Sequence, residues 1–125
     1  MNATSQALRG YAENAVSTRN GRRAEYDVIA RVTQQLRDTA VRSKTDFPGY
    51  AEALHRNQKL WAALVVDIVD KNNPLPEELK ARILYLAEFT QHHTRKILRE
   101  KASIMPLLEI NMAVLRGLKK EGPSQ

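Results

Sequence analysis

Residues 50–70 read YAEALHRNQKLWAALVVDIVD, and this stretch decides the fold class. Leu54, Asn57, Trp61, Leu64 and Ile68 recur at alternating spacings of three and four, which puts them on one face of an α-helix. Leu60, Val65 and Val69 widen that face. The boundaries are written in the flanks. Thr45-Asp46-Phe47-Pro48-Gly49 precedes the helix, with Asp46 as a cap and Pro48 where a first turn tolerates it. Lys71-Asn72-Asn73-Pro74 ends it.

The same period continues on both sides. Upstream, Arg22 to about Thr45 carries Val28, Ile29, Val32, Leu36 and Ala40 on one stripe, with Asp27, Arg31, Gln34, Gln35 and Asp38 facing outward. Residues 2–19 hold a weaker stripe of Leu8, Tyr11, Ala12, Ala15 and Val16, in which Gly10 costs about 1 kcal/mol. Asn20-Gly21 reads as a stop between the two. Downstream, Leu75-Pro76-Glu77-Glu78 opens a helix, with the proline in the first turn and two carboxylates at the positive end of the helix dipole. That helix runs to about Lys101 through Leu79, Ile83, Leu86, Thr90, His93 and Ile97. A last helix, capped by Ser103, runs to Leu118 through Leu107, Leu108, Asn111, Val114 and Leu115. Short connections between long amphipathic helices favour antiparallel neighbours. The expected architecture is all-α: an up-and-down bundle of four main helices with an additional N-terminal helix or arm. It forms one domain over residues 1–125, with residues 1–20 a weakly helical arm and 119–125 a flexible tail.

Composition agrees with one packed core. The chain has 125 residues, of which 42% are hydrophobic, enough to exclude an extended polyelectrolyte. It has no cysteine, hence no disulfide, thiol nucleophile or cysteine-based zinc site. No apolar run is long enough to span a membrane, and the first 25 residues lack the pattern of a secretory signal. A cytoplasmic location is expected. The net charge of +6 raises the question of nucleic acid. Its distribution is even: residues 1–48 carry 8 Lys/Arg against 5 Asp/Glu, and residues 49–125 carry 12 against 9.

Candidate chemistry is thin. Glu52 and His55 have the Glu-x-x-His form of di-iron bundles, but no second such pair accompanies them. Glu88 and His92, four apart, supply two ligands and no more, while His92 and His93 diverge by about 100° around a helix. No phosphate loop or nucleophile motif occurs. The expectation is a protein without enzymatic activity, metal or cofactor.

More informative are the polar residues on the apolar stripes. Asn57, Thr90, His93 and Asn111 either satisfy one another and fix the bundle's register, or line a groove that reads a partner helix. Trp61 is a core anchor or an interface hot spot. The partner-binding set in the second reading is Leu8, Tyr11, Asn57, Trp61, His93 and Asn111. The basic run Arg95, Lys96, Arg99 and Lys101 complements the negative end of its helix. It has no interleaved Tyr, Phe or Trp of the kind that stacks on bases.

Four stretches in order carry a resemblance. They are Arg22-Arg23-Ala24-Glu25-Tyr26, Asn57-Gln58-Lys59-Leu60-Trp61, Asn73-Pro74-Leu75-Pro76-Glu77-Glu78-Leu79-Lys80-Ala81, and Leu107-Leu108-Glu109-Ile110-Asn111 followed by Leu115-Arg116-Gly117-Leu118. Together they resemble the FlaF family of flagellar biosynthesis regulators over residues 10–120. Gly21-Arg22-Arg23 stands where that family usually has a proline. The resemblance implies a small cytoplasmic protein that binds flagellin before export and acts with an FlbT-type regulator to couple flagellin synthesis to secretion. It implies no catalytic residues. The segment with Leu8 and Tyr11 then becomes a candidate cover or clamp for a flagellin helix lying in an apolar groove. A direct regulator of flagellin messenger RNA, working through Arg95–Lys101 and the N-terminal arginines, is the alternative. A bundle self-associating through the Trp61 stripe is a third. Salt separates the first two, since phosphate contacts weaken steeply with it and an apolar groove hardly responds.

Overall fold

A computed structural model describes residues 19–120, and these form four helices: α1 (Arg19–Val41), α2 (Phe47–Ile68), α3 (Glu77–Glu100) and α4 (Met105–Lys120). No strand occurs among the described residues. The N-terminal helix or arm expected from Leu8, Tyr11, Ala12, Ala15 and Val16 lies outside them.

Two boundaries differ from expectation for a physical reason. Asn20 and Gly21 do not stop a helix but sit inside α1. Their turn preference is worth about 1 kcal/mol per residue, which an amphipathic helix of 23 residues packed on two neighbours outweighs. α1 also ends earlier than Thr45. Residues 42–45 form turns in which the amides of Thr45 and Asp46 donate to the Arg42 carbonyl at 3.1 and 2.8 Å. The reversal has to finish there because Asp46 already caps α2. Its Oδ1 accepts the Gly49 amide at 3.1 Å, and Pro48 lies in the first turn. Gly49 leaves room for that cap, since a Cβ at this position would push the Asp46 carboxylate aside.

The remaining connections follow the same local chemistry. Asn73 Nδ2 donates to the Asp67 carbonyl at 3.1 Å, and its Oδ1 accepts the Leu75 amide at 3.0 Å, folding the chain from α2 towards α3. Pro76 stands just ahead of α3 rather than in its first turn, and Glu77 and Glu78 occupy that turn as expected. Lys101 closes α3 in the left-handed region at φ 58°, donating its amide to the Ile97 carbonyl at 3.1 Å. Ser103 Oγ accepts the Met105 amide at 3.0 Å and so caps α4. This helix runs through residues 119 and 120, which the sequence assigned to the tail.

Two apolar clusters show that neighbouring helices are antiparallel. One gathers the end of α1 (Leu36), the start of α2 (Tyr50, Ala53, Leu54), the end of α3 (Ile97) and the start of α4 (Leu107, Leu108). The other joins Ile29 of α1, Leu60 and Ala63 of α2 and Leu115 of α4, with Tyr26, Val32, Val114 and Leu118 packed against them. No α3 residue belongs to the second cluster. α1 packs on α2 and α4, and α2 on α3, whereas α3 and α4 meet only sparingly. Leu36, Leu54 and Leu107 are wholly buried, each contributing about 1.5–3 kcal/mol. Val69, placed on the apolar stripe by its spacing, is 60% exposed because α2 has already ended at Ile68. Among the described residues no helix is long and apolar enough to cross a membrane.

Candidate functional site

Between the two apolar clusters lies a polar layer. Asn111 of α4 is its centre: its Nδ2 donates to Thr33 Oγ1 of α1 at 3.1 Å and to Asn57 Oδ1 of α2 at 2.9 Å. Its Oδ1 accepts Trp61 Nε1 at 3.0 Å. Thr33 in turn donates to the Ile29 carbonyl at 2.7 Å. One amide therefore fixes three helices at one height. All four side chains are buried, and so are Thr90 and Thr94 of α3. Thr94 Oγ1 donates to the Thr90 carbonyl at 2.7 Å. Among the described residues Asn57 Nδ2 and Thr90 Oγ1 are buried without a hydrogen-bond partner. Both unmet groups belong to α2 and α3, the pair that carries the only extensive packing of α3.

Of the residues singled out from sequence, Asn57, Trp61 and Asn111 are thus brought together and bound to one another. In this arrangement Asn57 and Asn111 reach a partner only if helices part, whereas Trp61 also lines a cleft between α2 and α3. Thr90 lies in the interior, and His93 does not join the network. His93 Nε2 is 2.7 Å from the Ser103 carbonyl, its ring stacks on Phe89 at 5.5 Å, and it ties the end of α3 to the connection before α4. Leu8 and Tyr11 lie outside the described residues. Apolar periodicity does not single out Thr33, because its hydroxyl is polar, although Ile29, Thr33, Leu36 and Ala40 form a complete helical stripe.

The residues weighed for metal and nucleic acid stand apart. Glu52 is exposed and paired with Arg56 at 2.9 Å; His55 of α2 and, one turn apart on α3, Glu88 and His92 are exposed. No group of three potential ligands assembles among the described residues. Arg95, Lys96, Arg99 and Lys101 are exposed at the end of α3.

Two clefts open between surface helices, and sequence alone reveals neither. The larger, about 570 Å³, runs between α2 and α3 over Trp61, Ala62, Val65, Leu84 and Ala87, with Glu88 as its charged lining residue. Beside it Val66, Val69 and Tyr85 are exposed. The smaller, about 270 Å³, runs between α1 and α4 over Tyr26, Ala30, Met112 and Leu115 and is flanked by Arg37 and Arg116. Thr33 lines the second cleft, so the polar layer reaches its floor. Apolar clefts between helices suit helix-in-groove contacts.

The class these features define is a small all-helical bundle with a polar layer in its core and apolar clefts between its surface helices. Its lineage is narrower. The family model described as flagellar protein FlaF matches residues 7–118, and the chain belongs to that family. No match stands among curated proteins or among solved structures.

Proposed function

We propose that this protein binds flagellin before export, as a secretion chaperone without enzymatic activity, and couples flagellin supply to assembly of the flagellum. The observation that carries the reading is membership of the flagellar FlaF family across nearly the whole chain. Apolar clefts between surface helices support it, as does an α3 whose first half stands free of the core clusters. A cleft of this kind covers one amphipathic face that would otherwise drive aggregation. In this reading the protein acts in the cytoplasm, and an FlbT-type regulator is its second partner. The segment ahead of α1, with Leu8 and Tyr11 on one stripe, adds to the flagellin contact. Asn57, His93 and Asn111 contribute by holding the helices that form the clefts, and Trp61 also by lining one of them.

Co-purification tests this. The chain is expressed with flagellin, with the FlbT-type regulator, and with both. A stoichiometric complex with flagellin is expected. Complete absence of flagellin from each preparation, with the bundle folded, would overturn the proposal.

A further inference from the structure

The α1/α4 cleft differs from its neighbour in charge. Arg37 and Arg116 flank it, and both are exposed. Among the described residues the Arg37 guanidinium donates one hydrogen bond, to Met112 Sδ at 3.9 Å. Neither arginine has a carboxylate within ion-pairing distance among the described residues, although Arg56, Lys80 and Arg82 each meet a glutamate one turn away on their own helix. Guanidinium is the least strongly hydrated of the protein cations and matches a carboxylate with two parallel hydrogen bonds. Below the arginines the floor is mostly apolar, built from Tyr26, Ala30, Met112 and Leu115, with Thr33 and Gln34 as its polar part. At about 270 Å³ it exceeds the roughly 150 Å³ that suffices for a benzene ring, so a leucine or phenylalanine side chain fits. Arg37 reaches Met112, and Arg116 lies four residues further along α4, about 6 Å or one turn.

We propose that this cleft is the docking site for an acidic amphipathic helix of the protein partner. One large apolar side chain fills the floor, and carboxylates one turn apart on that helix meet Arg37 and Arg116. The mostly apolar floor gives a phosphate chain little to bury, whereas an amphipathic helix brings an apolar side chain beside its carboxylates. The α2/α3 cleft, with Glu88 in its lining, selects against the same ligand.

The inference rests on the flagellin reading only in naming the natural partner, and two probes keep them separable. The first is monomeric flagellin titrated calorimetrically into the full chain. The second is a synthetic helix with a leucine stripe and glutamates one turn apart, beside its glutamine analogue. Arg37→Glu with Arg116→Glu is expected to weaken both probes at least thirtyfold. Arg31→Glu with Lys59→Glu makes the same change in net charge on exposed residues outside both clefts and is expected to alter binding less than threefold. The glutamine helix should bind at least tenfold more weakly than the glutamate helix. Circular dichroism verifies that each variant is folded. Flagellin that binds equally to wild type and to the Arg37/Arg116 variant would overturn the cleft and leave the flagellin reading standing. Acidic helix binding lost in that variant, with no flagellin binding by wild type, would support the cleft and overturn the flagellin reading. If neither probe binds, both proposals fall.

Discussion

The two ends of the bundle use similar side chains and differ in how many helices share them. At the end where α1 passes to α2 and α3 to α4, all four helices contribute to one cluster around Leu36, Leu54, Ile97 and Leu107. At the other end three helices close around Ile29, Leu60 and Leu115, and α3 stays outside. Residues 77–86 of α3 contain no buried residue, whereas Ala87, Thr90, Thr94 and Ile97 of its second half are buried. A helix can therefore be anchored over half its length and held by one neighbour over the rest. Local opening is drawn from such weakly packed segments.

The largest expected effect lies between the two ends. Trp61→Ala removes a buried ring and leaves Asn111 Oδ1 unpaired, and should cost about 3–5 kcal/mol in denaturant unfolding. A loss under 1 kcal/mol would show that the polar layer joins nothing. Next comes the direct contrast. Leu54→Ala, in the four-helix cluster, should cost about 2–5 kcal/mol. Ile83→Ala, half-buried in the first half of α3, should cost about 1 kcal/mol or less, because it withdraws far less area from water. Amide exchange should divide α3 in the same way, with residues 80–86 exchanging ahead of residues 90–97. Equal costs and equal protection would remove the distinction.

Much of this was legible in the sequence, for reasons particular residues make clear. Asp46 and Ser103 accept backbone amides two or three residues on, and Pro48 and Glu77 stand in first turns, so their roles are written locally. Leu79, Ile83 and Leu86 are spaced as regularly as the stripe of α2. Periodicity names the face of a helix but not whether a neighbour reaches it, so the weak seam beside α3 could not be read. The polar layer was half legible. Asn57 and Asn111 stood out as amides on apolar stripes, while the choice between mutual satisfaction and a groove needed distances from three helices. The clefts depend on spacing between helices, which no single segment encodes.

A smaller effect sharpens the comparison at the well-packed end. Lys101 holds a left-handed backbone that glycine adopts without strain, so Lys101→Gly should raise stability by about 1 kcal/mol in thermal melting. The smallest concerns Tyr50, buried in the four-helix cluster, where burial pushes the phenol above its usual value near 10. The folded state then binds the proton more tightly than the unfolded chain does. Its contribution is complete below pH 10 and is lost as pH rises through the folded value. Tyr50→Phe should flatten that alkaline decline, which urea midpoints measured from pH 8 to 11 would show.

The contact between Asp46 and Gly49 carries a consequence for how the sequence can drift. Alanine at 49 would favour helix by about 1 kcal/mol, yet its methyl group would push aside the carboxylate that caps the same helix and weaken that bond. The two positions are therefore tied in inheritance. A lineage that loses the acid at 46 is released to replace the glycine, and one that keeps the acid is not. Across descendants of this chain the pair should change together, with an acid at 46 and alanine at 49 the rare combination.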